Sequence, residues 1–166
     1  MKIRDLVNSA WLILFSALAV LSLILHALTF IGYDPREMSA YLWYGVQLSS
    51  VVALVLGLII FGMKKKISLP PSNRRLDKLL GLCVFIFTIY GCFNFLFTSM
   101  VLLHGASPEI INGQYATGSH GFFTPVSKEE FMKAMVYEAR MHSGHWMAFF
   151  LFAVAALRWK ARYPPK

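Results

Sequence analysis

Three long apolar runs and one short one set the pattern of this chain: Leu6 to Ile31, Tyr41 to Met63, Leu79 to Leu103, and Trp146 to Leu157. About 20 apolar residues carry a helix across a hydrocarbon core about 30 Å thick, so each of the first three runs predicts a transmembrane helix. The fourth run is too short alone. It reaches span length only by including the polar residues before it, which predicts a fourth crossing over about 138–158. The expected fold is an all-α membrane protein with a single domain over 1–166. It is a four-helix transmembrane bundle with spans at about 6–31, 41–63, 79–103 and 138–158, and a small extracytoplasmic β-hairpin at 104–130 between helices 3 and 4.

The connections differ in kind. In "GYDPREMSA" the Asp34-Pro35 step marks a turn, so spans one and two are expected to form a tight antiparallel pair. In "KKKISLPPSNRRLDK" Pro70-Pro71 blocks a helix, and Ser72 or Asn73 caps the next one. Within "EIINGQYA", Asn112-Gly113 between short β-prone runs is a two-residue hairpin signal, and a third short strand through Phe122 and Phe123 is compatible with it. Ser127 with Glu130 three residues on is a capping box, so the last helix starts there and runs to about Arg162. There is no internal repeat and no low-complexity tract.

Charge orients the spans. Twelve of the sixteen Lys and Arg residues fall on one side of a four-span chain: Lys2 and Arg4, Lys64 to Lys66 with Arg74, Arg75 and Lys78, and Arg158, Lys160, Arg162 and Lys166. The positive-inside rule makes that side cytoplasmic, which predicts a multi-pass protein of a bacterial inner (plasma) membrane with both termini inside. The first run is longer than the roughly 7–15 apolar residues of a cleaved signal and is expected to be a true span. At 57% hydrophobic and 14% charged, the chain departs far from the soluble average of roughly 45–50% apolar and about 25% charged. The net charge of +8 is juxtamembrane bias and implies no nucleic acid. The implied partner is the lipid bilayer, with anionic headgroups at Lys64 to Lys66, together with a second copy or a membrane-complex partner. Tyr33, Tyr41, Trp43 and Tyr44 at one interface, and Trp159 and Tyr163 at the other, read as anchors. Cys83 and Cys92 lie on opposite sides of one helix and read as core thiols.

The candidate chemistry is concentrated in "EARMHSGHWMAFF", residues 138–150. Counting back from Leu157 at about 1.5 Å per residue puts His145 about 18 Å, His142 about 22 Å and Glu138 about 28 Å up, in the outer third of the membrane. Ionisable groups at that depth usually face a protein interior or a wet cavity. Steps of four and three residues bring Glu138, His142 and His145 onto one helical face. Arg140 points the other way, with Gly144, Ala148 and Ala155 on an expected packing seam. His26, Gln47 and Asn94 lie at similar depth on the other spans, and His104 and His120 lie in or beside the outer segment.

Three chemistries fit. In the first, His26, Gln47, Asn94, Glu138, His142 and His145 form interhelical hydrogen bonds that set register, while Arg140 pairs with Glu138 or Glu109. In the second, Glu138, His142 and His145 ligate zinc, iron or copper, completed by His26, His104 or His120. Gln47 or Asn94 then supports a ligand ring, and Glu138 or Glu109 serves as base for a bound water. In the third, His26 and His145 hold b-type haem, or a quinone sits near His145 and Trp146. Transport would need oligomerisation to enclose a path.

Pro108-Glu109, Gly113 with Tyr115, His120-Gly121, Ser127 with Glu130, and Arg140 with Ser143 to Met147 follow one another in order. In this order they resemble the carboxy-terminal half of an uncharacterised family of small four-span bacterial membrane proteins with an Arg-x-x-Ser-Gly-His-Trp-Met stretch in the last helix. The resemblance covers about 60 residues; the first two spans match it only in hydropathy and in "LHALTFIGYDP". It implies no substrate or cofactor, and it shifts weight from His142 to His145, His120 and Arg140. The expected function is a structural or accessory membrane component with an outward-facing His/Glu/Arg cluster. The alternative is a metal-, haem- or quinone-binding membrane redox protein.

Overall fold

The computed structural model describes the backbone of residues 3–63, 67, 69 and 73–162, and the side chains from Leu6 onward. Lys2, the Arg4 side chain, Lys64 to Lys66, Pro70, Pro71, Ser72, Tyr163 and Lys166 lie outside the described residues, and so do the readings made on them. Helix α1 is Ile3–Phe30, α2 is Ala40–Gly62, α3 is Arg74–Phe97 and α4 is Lys128–Arg162. Each start has a physical cause. The Ser39 hydroxyl accepts the Leu42 N–H for α2, and the Asn73 side chain accepts the Arg75 N–H for α3. Ser127 and Glu130 bond reciprocally at the start of α4, the Ser127 N–H to the carboxylate at 2.9 Å and the Glu130 N–H to the hydroxyl at 3.2 Å. After Phe97, α3 continues as a π-helical turn over Thr98–Leu102.

Three segments are long and apolar enough to cross a membrane: Leu6–Phe30, Ala40–Gly62 and Arg74–Leu102. The more polar α4 occupies the centre. α1, α2 and α3 each pack along it, whereas α1 and α2 scarcely touch. The expected tight pairing of spans one and two is therefore corrected: both helices lean on α4. Hydropathy could not reveal this, because α2 is apolar on every side and α1 interrupts its apolar surface with only a few polar side chains, Ser22, His26 and Thr29 among them. The exposed surface of α1, α2 and α3 carries large apolar groups such as Ile13, Leu48, Phe85 and Phe93, while α4 is buried from Phe131 to Lys160 on its packed faces.

Small residues let the backbones approach. A Cβ on Gly57 of α2 would stand 3.2 Å from the Ala153 Cα of α4, and a Cβ on Gly91 of α3 would stand 3.2 Å from the Gly144 carbonyl oxygen. Such contacts drive helix association where burial from water does not. Large rings fill the remainder. Trp43 and Trp146 meet at 4.5 Å between ring centroids, and Trp43 is only 3% exposed. It is a core residue, which corrects its reading as an interface anchor. Tyr41, Tyr44 and Trp159 are exposed as expected. Cys83 is half-buried and Cys92 exposed, so neither is a core thiol.

The expected hairpin is a three-stranded antiparallel sheet in the order β1 (Ser107–Ile111), β2 (Gln114–Ser119), β3 (Phe122–Pro125). Two two-residue turns build it. Asn112 and Gly113 adopt φ of 51° and 79°, and His120 and Gly121 adopt 51° and 83°. Successive positive φ values are those of the primed turns whose twist matches a hairpin. The sheet rests on the start of α4, where the Tyr115 and Phe131 rings lie 4.8 Å apart.

Candidate functional site

The polar side chains of α4 meet the other helices in the half nearer the sheet, in two layers. The deeper layer joins α1, α3 and α4. His26 places Nδ1 2.8 Å from the Ser143 hydroxyl and Nε2 2.6 Å from the Tyr90 hydroxyl. The roles follow from counting protons. Ser143 has one, and the Ala139 carbonyl one turn back accepts it at 2.7 Å. In the neutral imidazole His26 therefore donates from Nδ1 to Ser143 and accepts from Tyr90 at Nε2. Beside this chain, the Asn94 amide donates to the Arg140 carbonyl at 2.9 Å. His26, Asn94 and Ser143 are all buried, and the bonds satisfy groups that would be costly to leave unpaired in an apolar setting.

The second layer is ionic and lies at the sheet end. The Arg36 guanidinium donates to both Asp34 oxygens and, at 2.7 Å, to Glu138. It also bonds the Met135 carbonyl and lies over the Trp43 ring. Burial acts to lower the Arg36 pKa, but the hydrogen bonds and charges of Asp34 and Glu138 outweigh it and hold the group above its ordinary range. Arg36 thus ties the 31–39 connection to α4. Arg140 works nearby on a different partner. Its guanidinium stacks 4.3 Å from the Phe30 ring centroid and donates to the Thr29 carbonyl at 2.7 Å, leaving its buried Nε without a hydrogen-bond partner. The last turn of α1 has no basic residue of its own. Arg140 supplies the missing cation to the orphan carbonyls there.

This arrangement corrects several expectations. The partner of Glu138 is Arg36; Arg140 pairs with neither Glu138 nor Glu109, because its direction along α4 takes it to the end of α1. The face of Arg140 and Gly144 is both the packing seam and the polar seam. A Cβ on Gly144 would run into Asn94 Nδ2 and stand 3.3 Å from His26 Cε1. His142 and His145, expected to line the pocket, are only half-buried to one side. The His145 ring packs on Phe149 of its own helix, with 5.2 Å between centroids.

The expected ligand set does not assemble. Among the described residues no three His, Cys, Asp or Glu side chains converge where they could hold a metal ion. His104 and His120 are exposed, and each takes φ of 51° before a glycine, as at a turn. Glu109 is exposed on β1, and Gln47 flanks the packed face of α2 outside the hydrogen-bonded cluster. His26 has both ring nitrogens engaged by protein hydroxyls, so in this geometry neither is left for a haem iron or a metal shared with His145. Tyr90, Ser143, Thr29, Asp34 and Arg36 are the members that sequence reading missed. Arg36 carried the clearest signal, as the only basic residue between spans one and two.

Comparison of the chain with protein-family models, with curated proteins and with solved structures finds no match.

Proposed function

We propose that this chain is an integral protein of a bacterial inner membrane that crosses it four times, with both termini in the cytoplasm, as a structural or accessory component. One observation carries the reading: the hydrogen bonds of the polar groups along α4 run to α1, to α3, to the 31–39 connection and to its own backbone. The Tyr90–His26–Ser143–Ala139 chain ends on a backbone carbonyl. Hydrogen bonds closed in this way set helix register and depth, the ordinary work of polar residues between membrane helices. Charge supports the orientation, because Arg74, Arg75, Lys78, Arg158 and Arg162 gather at the end opposite the sheet. The resemblance to small four-span bacterial membrane proteins agrees with it. In this reading α4 is a fourth span that needs few lipid-facing apolar residues, since the other helices cover it.

The membrane fraction should retain the protein through alkaline washing, and a reporter fused after Lys166 should be active in the cytoplasm. Activity of that reporter in the periplasm would overturn the four-span reading. Metal analysis and an optical spectrum of purified protein test the structural role: zinc, iron or haem at one per chain would replace it with a metal or redox function.

A further inference from the structure

At the end opposite the sheet, α1 and α3 stand apart on either side of α4. The Tyr90–His26 bond joins them in the half nearer the sheet. The gap below is a cleft of about 540 Å³ between the two helices. Its walls are apolar, with Leu12, Leu23, Leu80 and Phe87 facing one another across Leu151 and Val154 of α4. Leu23 and Phe87 sit one turn before His26 and Tyr90, so the hydrogen-bonded pair closes the top. From Leu12 to Leu23 the cleft runs about 16 Å at about 1.5 Å per residue. That is roughly half of a hydrocarbon core about 30 Å thick, the depth of one leaflet.

The mouth is charged. Asp77 and Arg158 line the cleft and also line an adjoining hollow that holds Arg74, Lys78 and Arg162. Asp77 is paired with Arg162 at 2.6 Å. Among the described residues that line this mouth, four side chains are cationic and one, Asp77, is a carboxylate, with Trp159 beside them.

We infer that this cleft binds one anionic phospholipid of the surrounding leaflet, with an acyl chain along α4 and its phosphate at Arg158 and Lys78. The inference rests on the membrane reading above and adds a ligand class to it. An apolar slot alone would take any chain. The cationic surplus selects a negative headgroup, because each Lys or Arg near such a surface adds attraction that a zwitterion does not match.

The test uses the full-length protein in mild detergent. Its thermal shift and its lipid retention in native mass spectrometry are followed as phosphatidylglycerol, phosphatidylcholine or glycerol 3-phosphate is added. Phosphatidylglycerol should stabilise and co-purify, whereas phosphatidylcholine should do so at least tenfold more weakly and glycerol 3-phosphate not at all. Arg158→Gln with Lys78→Gln should weaken the phosphatidylglycerol response about thirtyfold, at roughly a fivefold loss per cation. Arg75→Gln, just outside the mouth, should leave it unchanged. Ser16→Trp fills the cleft from an exposed position and should abolish retention with all cations present. Equal responses to the two lipids, or a phosphatidylglycerol response that survives both Arg158→Gln/Lys78→Gln and Ser16→Trp, would overturn the inference. A response to glycerol 3-phosphate equal to that of the lipid would overturn it in favour of a free-phosphate site. Release of the protein from membranes without detergent would instead overturn the membrane reading itself.

Discussion

His26 and Ser143, from the first and last helices, meet through Nδ1 and Oγ at 2.8 Å. The serine's own proton is committed to the Ala139 carbonyl, so this bond exists only while the histidine donates. Ser143→Ala removes the acceptor and strands a buried N–H. The expected loss is about 1–3 kcal/mol of stability, read by thermal unfolding in detergent. Ser143→Cys, which keeps a weak acceptor, should lose less. A Ser143→Ala protein as stable as the parent would mean that the contact does not set the helix packing.

Among the described glycines, Gly144 leaves the least room for a side chain. An added Cβ would run into Asn94 Nδ2, and that amide cannot swing away without releasing the Arg140 carbonyl. Gly144→Ala should cost about 1–3 kcal/mol by overpacking. Asn94→Ala in the same protein should recover part of the loss, so the pair is non-additive. Simple additivity in a double-mutant cycle would show that the two residues do not touch.

Arg36 serves two carboxylates and one carbonyl, whereas Glu138, among the described residues, pairs with Arg36. Removing the arginine side chain takes the guanidinium from both acids and leaves the buried Asp34 with the backbone N–H of residue 36. Arg36→Ala should therefore destabilise by about 3–5 kcal/mol. Glu138→Ala should cost distinctly less, because Arg36 keeps Asp34. Equal costs for the two substitutions would contradict this unequal sharing.

Glu130 titrates below its ordinary value because it accepts hydrogen bonds from the Ser127 hydroxyl and backbone N–H. A depressed folded-state pKa means the capping box contributes above the ordinary value of 4.5 and is lost as pH falls from there through the folded value. Amide exchange in the first turn of α4 should quicken over that interval. Ser127→Ala should give fast exchange at every pH and remove the dependence.

His120 holds a turn. With φ of 51°, it should be replaceable by Asn or Gly within about 0.5 kcal/mol. His120→Val should destabilise the sheet by about 1–2 kcal/mol, because a β-branched residue resists the left-handed region. Loss of a bound metal in His120→Asn would restore the ligand role that the turn geometry argues against.

How far each feature could be read depended on the range of the interaction behind it. The capping box at Ser127 and Glu130 and the turn at Asn112-Gly113 are contacts between residues at most three apart, and both were legible from residue type and spacing. The second turn was not recognised, since His120 at positive φ is a weaker signal than asparagine there. The site was legible in its members His26, Asn94, Glu138 and Arg140 but not in its pairing. Helical phase ranks directions around α4, but it cannot say which neighbour stands in each direction.

By itself, then, the sequence determined three apolar helices of membrane-crossing length, a fourth helix started by its own cap, and a short β segment between the last two. Those follow from local hydrogen bonding and from hydrophobic periodicity, which act along the chain. Only the tertiary structure decided that the most polar helix lies at the centre, that Gly91 and Gly144 face each other, and that Arg36 rather than Arg140 meets Glu138. The reason is that helices whose lipid-facing and packed sides are both largely apolar carry little mark of the face that packs. Close contact at small residues and the pairing of a few buried polar groups choose among orientations that hydropathy leaves equal.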